Sequence, residues 1–312
     1  MSGIRLVRYQ DSHKELWNDF VDKSLNGTFM INRNYMDYHA ERFQDHSLLV
    51  YEDDGLIGVI PACAKNGLYH SHAGISYGGF LIGSKIKSQK MLDIFDVFLA
   101  YLRNENFKEI LYKPVPQIFH RSCCQYDLYA LWRNNFQISR RELAAVVPIG
   151  KAKFKSKRVS DYRFAKKSGV VFRPSADYAE FVDMVNERLA QKYDEKSVHT
   201  ADELALLSSR FPANIKLYGA YRNEQMVGGA VIFETDNTVH TPYLCANKTG
   251  RELRVMDFLV YSLIAETYPQ FQYFDFGKAT EDGGKVLNSA LIGMKEKFGG
   301  LAYCHDTYSL TL

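Results

Sequence analysis

Short apolar runs separated by polar turns dominate the first half of the chain and predict a strand-rich unit. Strands are expected at about 47–52, 56–64, 68–73, 76–82, 110–112 and 142–149. Asp53-Asp54-Gly55 separates the first two runs, and its Asp-Gly signal predicts a hairpin. Apolar residues at helical spacing predict a helix over 86–104, and an earlier one over Asp11 to Lys23 with Ser12 and Glu15 as a capping box.

The second half of the chain mixes helical and strand periodicity in a similar order. Helices are expected at about 158–168, 176–192, 201–210, 250–267 and 283–297. Strands are expected at 170–172, 215–222, 227–235, 238–246, 271–276 and 301–310. Thr200 and Glu203 form a capping-box pattern at the start of the helix over 201–210. Antiparallel hairpins combined with crossover helices indicate an α+β fold.

One pattern occurs twice in the chain. Tyr51 and Gly58 correspond to Tyr221 and Gly228, both at an offset of 170 positions, within similar strand–turn–strand segments. Further on, a helix followed by a strand (91–112) matches 255–276 at an offset of 164, and a loop of different length explains the change. Such self-similarity indicates two copies of one fold unit. We therefore predict two domains, 1–150 and 151–312.

Composition excludes several classes of protein. The 312 residues are 46% hydrophobic and 24% charged, which is typical of a globular chain. A net charge of +3 is weak for a dedicated duplex-binding protein. No apolar run is long enough to span a membrane, and no signal peptide is seen, so a cytoplasmic location is expected. Five scattered cysteines without a Cys-x-x-Cys pair predict neither a zinc site nor a disulfide framework.

The motifs late in the chain resemble a known family. Phe274-Asp-Phe-Gly277, Thr280-Glu-Asp-Gly283 and Lys295-Glu-Lys-Phe-Gly299 are similar to the C-terminal pattern of the Fem-type branch of the GNAT acyltransferases. Ser76-Tyr-Gly-Gly79 and Lys113-Pro-Val-Pro116 resemble its acetyltransferase-like, envelope-polysaccharide-associated subgroup. The resemblance implies two tandem GNAT-like domains with mixed sheets and flanking helices. The long coiled-coil arm of the peptidoglycan-bridge enzymes has no counterpart, and Met294 stands where those enzymes tend to carry an aromatic residue.

The resemblance also implies an acyl-CoA site in the C-terminal domain. GNAT enzymes usually hold the pyrophosphate at a helix N-terminus, and the matching segment here is Asn247 to Glu252. The donor-binding candidates are Lys248, Gly250, Arg251 and Arg254. In the alternative interpretation, Thr249 and Glu252 form a capping box that occupies some of the backbone donors.

Three residues are candidates for catalysis. Glu281 is a candidate general base, because acyl transfer needs a deprotonated amine or hydroxyl. Asn288 is a candidate for orienting a substrate or donating to an oxyanion. Lys295 is singled out by the Fem resemblance, and a helix over 283–297 would place it on one face with Asn288. The alternative roles are a helix charge for Glu281, a cap for Asn288 and a solvated surface charge for Lys295.

Five residues are candidates for holding the acceptor: Tyr77, Lys113, His199, His240 and Tyr243. His70 and His72 have the period-2 spacing of metal ligands, but no third ligand is evident and a structural role is favoured. The basic stretch from Lys151 to Lys167 suits RNA or an anionic acceptor, or else a solvated helix face.

Together these features predict a cytoplasmic acyltransferase without a metal. It would move an acyl group, acetyl among the candidates, from acyl-CoA to an amine or hydroxyl of an envelope sugar or peptide precursor. Two alternatives stay open: a Fem-type enzyme that uses aminoacyl-tRNA, and a non-catalytic module that binds an anionic nucleotide-linked glycan. The sequence does not specify an oligomeric state.

Overall fold

In a computed structural model, which describes residues 3–193 and 195–312, the chain divides into two compact units. Unit 1 comprises Met1–Glu142 and His305–Leu312, and unit 2 comprises Leu143–Cys304. The last eight residues thus belong to the unit that begins the chain. The domain boundary predicted after residue 150 stays a prediction.

Unit 1 combines short strands with helices around a core of aliphatic and aromatic side chains. Its helices are α1 (Lys14–Lys23), α2 (Arg33–Met36), α3 (Ser88–Asn104) and α4 (Tyr126–Arg133). Its strands are β1 (Ile4–Arg8), β2 (Gln44–Asp45), β3 (Leu48–Glu52), β4 (Gly55–Ile60), β5 (Cys63–Lys65), β6 (Leu68–His70), β7 (Leu81–Ile82) and β8 (Glu109–Tyr112), and β9 (Gln137–Pro148) begins here. One sheet has the order β1-β3-β4-β7, and a second contains β8-β6-β5-β2. Phe95, Phe98 and Met91 of α3 are buried in the core.

Unit 2 is a mixed sheet with helices packed against it. Its helices are α5 (Ser156–Lys167), α6 (Tyr178–Tyr193), α7 (Ala201–Arg210), α8 (Lys248–Glu252), α9 (Val255–Tyr261) and α10 (Ser289–Glu296). Its strands are β10 (Val171–Ser175), β11 (Ile215–Arg222), β12 (Gln225–Glu234), β13 (Thr238–Ala246), β14 (Tyr273–Lys278), β15 (Thr280–Glu281) and β16 (Val286–Leu287), and β17 (Leu301–Thr311) begins here. The sheet order is β10-β11-β12-β13-β14-β9, antiparallel except for the parallel pair β13 and β14.

Two hairpins, one in each unit, carry the same irregularity. The register of β3 and β4 shifts between Val50 and Tyr51, and that of β11 and β12 shifts between Ala220 and Tyr221. A β-bulge places one extra residue in one strand of the pair and bends that strand, so it is a specific feature of a fold. Because the two bulges are 170 positions apart, they match the offset of the sequence repeat. The α+β fold class and the two copies of one fold unit predicted from the sequence are confirmed.

The parallel strand pair repeats as well. In unit 1 β6 runs parallel to β8, with Leu68 facing Glu109. In unit 2 β13 runs parallel to β14, with Thr238 facing Tyr273. The first strands differ by 170 positions and the second strands by 164, which are the two offsets read from the sequence.

The change of offset lies inside the fourth strand of the repeat. In unit 2 this strand is β13, which runs from Thr238 to Ala246 without a break. In unit 1 the same strand is divided into β6 and β7 by residues 71–80, where unit 2 has only residues 241–244. The six additional residues of unit 1 are therefore an insertion within a strand.

Several predicted elements differ from the structure. The strand expected over 76–82 is only β7, because residues 71–80 form the insertion. The helix expected over 250–267 is divided into α8, α9 and a π-helical turn over Ser262–Thr267, with Arg254 in the left-handed conformation (φ 62°) between the first two. The predicted Ser12–Glu15 capping box is wrong, since α1 follows a 3₁₀ turn and its N-cap residue is His13, whose side chain makes no capping hydrogen bond to the helix. The Thr200–Glu203 capping box is confirmed, with both reciprocal hydrogen bonds present.

Within the described ranges, none of the helices combines the length and the apolar character that crossing a bilayer would require.

Candidate active site

The two parallel strands of unit 2 separate after a short contact. Thr238, Val239 and His240 face Tyr273, Phe274 and Asp275, and no further positions of the two strands pair in the described chain. Beyond His240, Thr241 and Pro242 together face a single residue of β12, which is a bulge in β13. A bulge bends its strand, so β13 continues to Ala246 away from β14. We call the point where the strands part, just after His240 and Asp275, the fork of unit 2.

The corresponding fork of unit 1 is filled by its own chain. The backbone N–H of Ser71 donates to the carbonyl of Leu111 at 2.9 Å, and the N–H of Gly78 donates to the carbonyl of Lys113 at 2.8 Å. The Lys113 backbone N–H donates to the Ser71 hydroxyl at 2.7 Å, and its Nζ donates to the carbonyl of Ile75 at 2.9 Å. The insertion over residues 71–80 thus takes up backbone groups that an extended ligand would need.

A histidine and an aspartate meet at the fork of unit 2. The Nδ1 of His240 lies 2.8 Å from Oδ2 of Asp275, whose side chain is 1% exposed against 18% for the histidine. The other carboxylate oxygen, Oδ1, accepts the backbone N–H of Gly277 at 2.7 Å. Because a carboxylate only accepts, Nδ1 carries the proton and Nε2 carries the lone pair of the neutral ring.

Gly277 fits closely beside this pair. Its φ of 69° lies in the left-handed region, and a Cβ there would be 3.3 Å from Cε1 of His240. A larger residue would both strain the backbone and press on the imidazole. The Phe-Asp-Phe-Gly motif of β14 therefore supplies the aspartate and the space for its histidine.

The corresponding place in unit 1 contains a histidine without the aspartate. His70 faces Leu111 in the parallel pair, as His240 faces Asp275. The Nδ1 of His70 is buried and has no hydrogen-bond partner among the described residues. Burial, together with the positive charges of Lys113 and Arg140, lowers the pKa of His70 to about 4. His70 and His72, considered above as metal ligands, belong to this unit, and His72 is almost fully buried.

Lys295 is a buried group at the exit of β14. Its side chain on α10 is 5% exposed, and Nζ donates to the carbonyls of Gly277 at 2.9 Å and Lys278 at 2.6 Å. Burial lowers the pKa of Lys295 to about 8, against the raising effect of Asp275. The lysine is therefore no solvated surface charge, and it secures the backbone that follows the aspartate.

Glu281 and Asn288 lie together on the surface. The Nδ2 of Asn288 donates to the carboxylate of Glu281 at 2.7 Å, and its Oδ1 accepts the N–H of Leu291 at 3.0 Å. Asn288 is thus the N-cap of α10, which begins at Ser289. The helix predicted over 283–297 is wrong in its first turns, because Glu281 and residues 286–287 form the short hairpin β15–β16. A catalytic role for Glu281 and Asn288 stays a prediction.

The predicted donor loop connects β13 to α9. Asn247 caps α8 by accepting the N–H of Gly250 at 2.9 Å, so the proposed Thr249–Glu252 capping box is wrong. Gly250 is required by packing, because a Cβ there would lie 1.9 Å from the carbonyl oxygen of Val227. The basic candidates Lys248, Arg251 and Arg254 are all exposed, and Arg251 also donates to the carbonyl of Ala246 at 3.0 Å.

Two of the predicted acceptor residues are in contact in unit 2. The hydroxyl of Tyr243 lies 2.8 Å from Nδ1 of His199 and accepts the backbone N–H of the same histidine at 3.1 Å. Burial raises the pKa of Tyr243. In unit 1, Tyr77 is buried, and its hydroxyl donates to Thr28 at 3.2 Å. Tyr77 and Lys113 both belong to the filled fork of unit 1, described above.

Across residues 3–193 and 195–312, no three His, Cys, Asp or Glu side chains come together in a group that would hold a metal ion.

A family model described as an acetyltransferase (GNAT) domain matches residues 152–282, a range that contains β13, β14 and the fork of unit 2. This chain therefore contains a GNAT-type domain, which lies in unit 2. Its GNAT domain includes the His240–Asp275 pair, and Lys295 follows the matched range. No curated protein matches the chain.

Solved structures show the fold of the whole chain. FemX is 11% identical, with 99% of this chain and 97% of FemX covered and a TM-score of 0.69. The C-terminal domain of a putative lysylphosphatidylglycerol synthetase from Agrobacterium fabrum is 11% identical over 96% of this chain and 91% of that one, with a TM-score of 0.62. A tandem GNAT protein from the clavulanic acid pathway is 11% identical over 99% and 98% of the two chains, with a TM-score of 0.52. These likenesses show a Fem-like tandem GNAT fold.

The sequence pointed to His240 and Asp275 separately and missed their contact. His240 was named as an acceptor candidate and Asp275 appeared only within the Phe-Asp-Phe-Gly motif, because pairing them needs the register of two parallel strands joined by a helix. The signal that was present is the repeat itself. The offsets of 170 and 164 place His240 on His70 and Asp275 on Leu111, so the two positions share one register in both units.

Proposed function

We propose that this protein transfers an acyl group, such as acetyl, from acyl-CoA to an amine or hydroxyl of a cell-envelope sugar or peptide precursor. The donor binds to unit 2, with its acyl arm in the fork and its phosphates near the loop that carries Lys248, Arg251 and Arg254. The reaction takes place in the cytoplasm. The single observation that carries the proposal is the contrast between the two forks.

The fork of unit 2 suits the donor because β13 has parted from β14 there. GNAT domains use acyl-CoA, and the GNAT match falls on unit 2. A GNAT strand pairs with the acyl arm in the family that this chain resembles, and β13 is that strand here. In unit 1 the insertion over residues 71–80 already bonds to the backbone of Leu111 and Lys113. We therefore assign one donor site to the chain.

The donor loop supports phosphate binding through charge more than through backbone groups. The N–H of Gly250 is occupied by the Asn247 side chain, so it is not available to a ligand. The three exposed cations of the loop remain, and lysine and arginine side chains both pair with phosphate oxygens. We propose that these side chains hold the anionic part of the donor.

Acceptor binding in unit 2 is assigned to His199, Tyr243 and His240. His199 and Tyr243 form one hydrogen-bonded pair in unit 2, and His240 lies on the same strand as Tyr243. Tyr77 and Lys113 are proposed for the acceptor from their positions in the sequence. Asn288 and Lys295 complete the proposed site as the cap of α10 and the support of the β14 exit.

Isothermal titration with acetyl-CoA tests the donor. We expect the parent protein to bind, and Arg251→Glu to bind at least tenfold more weakly, since one cation at a phosphate is replaced by an anion. Arg103→Glu, an exposed arginine on α3 of unit 1, is the matched control. Release of CoA thiol is then measured with nucleotide-linked amino sugars and cell-wall peptide precursors as acceptors. If acetyl-CoA binds but no acceptor gives turnover, the result would favour the alternative of a non-catalytic binding module.

The likeness to FemX, together with the basic segment over residues 151–167, favours aminoacyl-tRNA as the second candidate donor. The segment contains eight lysine and arginine residues, and all of them except Arg158 are exposed. Its one acidic residue, Asp161, is buried. If the parent protein fails to bind acetyl-CoA, titration with aminoacyl-tRNA over a salt series decides, because phosphate contacts weaken steeply with salt.

A further inference from the structure

We infer that His240, held by Asp275, is the catalytic residue that removes the proton from the acyl acceptor. The inference deepens the proposed function and rests on it, because it assumes that the acceptor reaches the fork of unit 2. It replaces the exposed Glu281 as the base with a histidine at the point where β13 and β14 part.

Both carboxylate oxygens of Asp275 are held by contacts with neighbouring groups. Oδ1 accepts the N–H of Gly277 at 2.7 Å, and Oδ2 faces Nδ1 of His240 at 2.8 Å. A nearly fully buried carboxylate with two such contacts cannot rotate, so it selects one tautomer of the ring. The lone pair is then on Nε2, the nitrogen that a general base needs. Asp275 acts through the histidine and is a positioning residue.

The two units differ at the residue that faces the histidine. Unit 1 retains a histidine at the same register position but has Leu111 in place of the aspartate, and its fork is filled by residues 71–80. Unit 2 has both the aspartate and the parted strands. The positioned histidine therefore occurs in the unit whose fork can accept a ligand. The parallel strand pair of unit 1 forms with a leucine at this place, so an aspartate is not needed to hold such a pair together. Asp275 is therefore expected to have another role.

Glu281 has a local structural role that does not require catalysis. Its side chain is exposed and accepts a hydrogen bond from Asn288, which at the same time caps α10. These contacts account for both residues as part of the β15–β16 turn and the start of the helix. His240, at 18% exposure, lies between a fully buried partner and solvent, which suits a group that exchanges protons with a bound acceptor.

The proposed step is balanced in atoms and charge. The amine or hydroxyl of the acceptor attacks the thioester carbonyl carbon, and its proton passes to Nε2 of His240. The new bond joins the acceptor to the acyl carbon, while the carbon–sulfur bond breaks. The imidazolium, stabilised by Asp275, returns the proton to the departing CoA sulfur. The products are the acylated acceptor and CoA thiol, with the histidine neutral again.

Kinetics with acetyl-CoA and the acceptor that gives turnover in the preceding assay test the base. We expect His240→Gln to lower kcat at least 100-fold with the acetyl-CoA Kd unchanged, the range for loss of a general base. We expect Glu281→Gln to change kcat less than threefold. A large loss in Glu281→Gln with none in His240→Gln would overturn the inference.

Asp275→Asn provides a sharper test, because the variant keeps the shape. Its Oδ1 must still accept the Gly277 N–H, so its NH₂ group faces Nδ1 and forces the proton onto Nε2. We expect kcat to fall at least 100-fold at every pH, with normal donor binding and an unchanged Tm within a few degrees. Full activity in this variant would show that the tautomer is irrelevant and would overturn the inference.

NMR of protein labelled with ¹⁵N-histidine gives a readout that needs no acceptor. With the His240 signals assigned from the His240→Gln spectrum, the parent should show protonated Nδ1 and unprotonated Nε2 at neutral pH, and Asp275→Asn should show the reverse. The opposite tautomer in the parent overturns the inference. If acetyl-CoA does not bind at all, the proposed function fails, and this NMR result still decides whether the histidine is positioned as stated.

Discussion

Leu111 in unit 1 and Asp275 in unit 2 occupy the same place in the repeated pair of parallel strands. Each faces a histidine across the ladder, His70 in the first case and His240 in the second. The identity of this one residue thus determines the state of the histidine. His70 has a buried ring nitrogen without a hydrogen-bond partner among the described residues, whereas His240 is oriented by Asp275. The difference between the units is chemical as well as conformational.

Introducing the missing carboxylate should change the titration of His70. We expect Leu111→Asp to raise the pKa of His70 from about 4 by at least one unit, because a nearby anion favours the imidazolium. Leu111→Asn, which has the same shape without charge, is the control. The measurement is an NMR titration of the His70 ring proton. An equal pKa in both variants would mean that the two side chains do not meet as their counterparts in unit 2 do.

The buried ammonium of Lys295 should make stability depend on pH. Its pKa of about 8 in the folded chain lies below the ordinary value of 10.5, so the unfolded state binds more protons between these values. The free energy of unfolding should therefore rise with pH from 8 to 10.5, by about 3 kcal/mol at 1.36 kcal/mol per pKa unit. Denaturant unfolding of the parent and of Lys295→Met isolates this contribution. Lys297→Met, at an exposed neighbour, should leave the profile of the parent unchanged.

Asp127 in unit 1 should produce the opposite dependence. Burial raises its pKa to about 6, although the Tyr112 hydroxyl donates to it at 2.9 Å and favours the anion. The folded state therefore binds more protons between about pH 4 and 6, so stability falls as pH rises through this window. Relative to Asp127→Asn, the parent should lose about 3 kcal/mol from pH 4 to 7. A constant difference between the two proteins would show that the carboxyl titrates normally.

Gly250 should tolerate no side chain. A Cβ would meet the backbone oxygen of Val227 at 1.9 Å, so α8 would have to move away from β12. We expect Gly250→Ala to lower the free energy of unfolding by at least 2 kcal/mol, as overpacking does, and to weaken acetyl-CoA binding. Gly293→Ala is the control, because nothing lies within 4 Å of a Cβ there and alanine favours the helix. Equal stability of the two variants would contradict the packing argument.

The sequence predicted the repeat more accurately than its individual elements. The hairpins and both offsets were readable because side-chain periodicity and turn residues act locally. The Thr200–Glu203 capping box was readable for the same reason. The interruption of a strand by residues 71–80 was not, because Ser-Tyr-Gly-Gly is compatible with a strand or a turn until its hydrogen bonds to Lys113 are known.

The candidate site was predicted in its residues but not in its contacts. The sequence left two interpretations of Lys295, a functional group or a solvated charge. Its burial and its hydrogen bond to the carbonyl of Gly277 exclude the solvated charge. Asn288 had the side chain of a cap, but the start of α10 depends on the hairpin before it. Parallel register, as for His240 and Asp275, is set by a crossover helix and cannot be read from neighbouring residues.

The order of synthesis gives the last eight residues an importance beyond their number. Tyr308 pairs with Tyr112 in unit 1, but residues 143–304 are translated between the two parts of this unit. At a translation rate of about 5–20 residues per second, synthesis of residues 143–304 takes roughly 10 to 30 seconds. During this time unit 1 lacks the strand segment that pairs with β8. A substitution in the part of β17 beyond Cys304 would therefore affect a unit whose other residues are translated before those of unit 2.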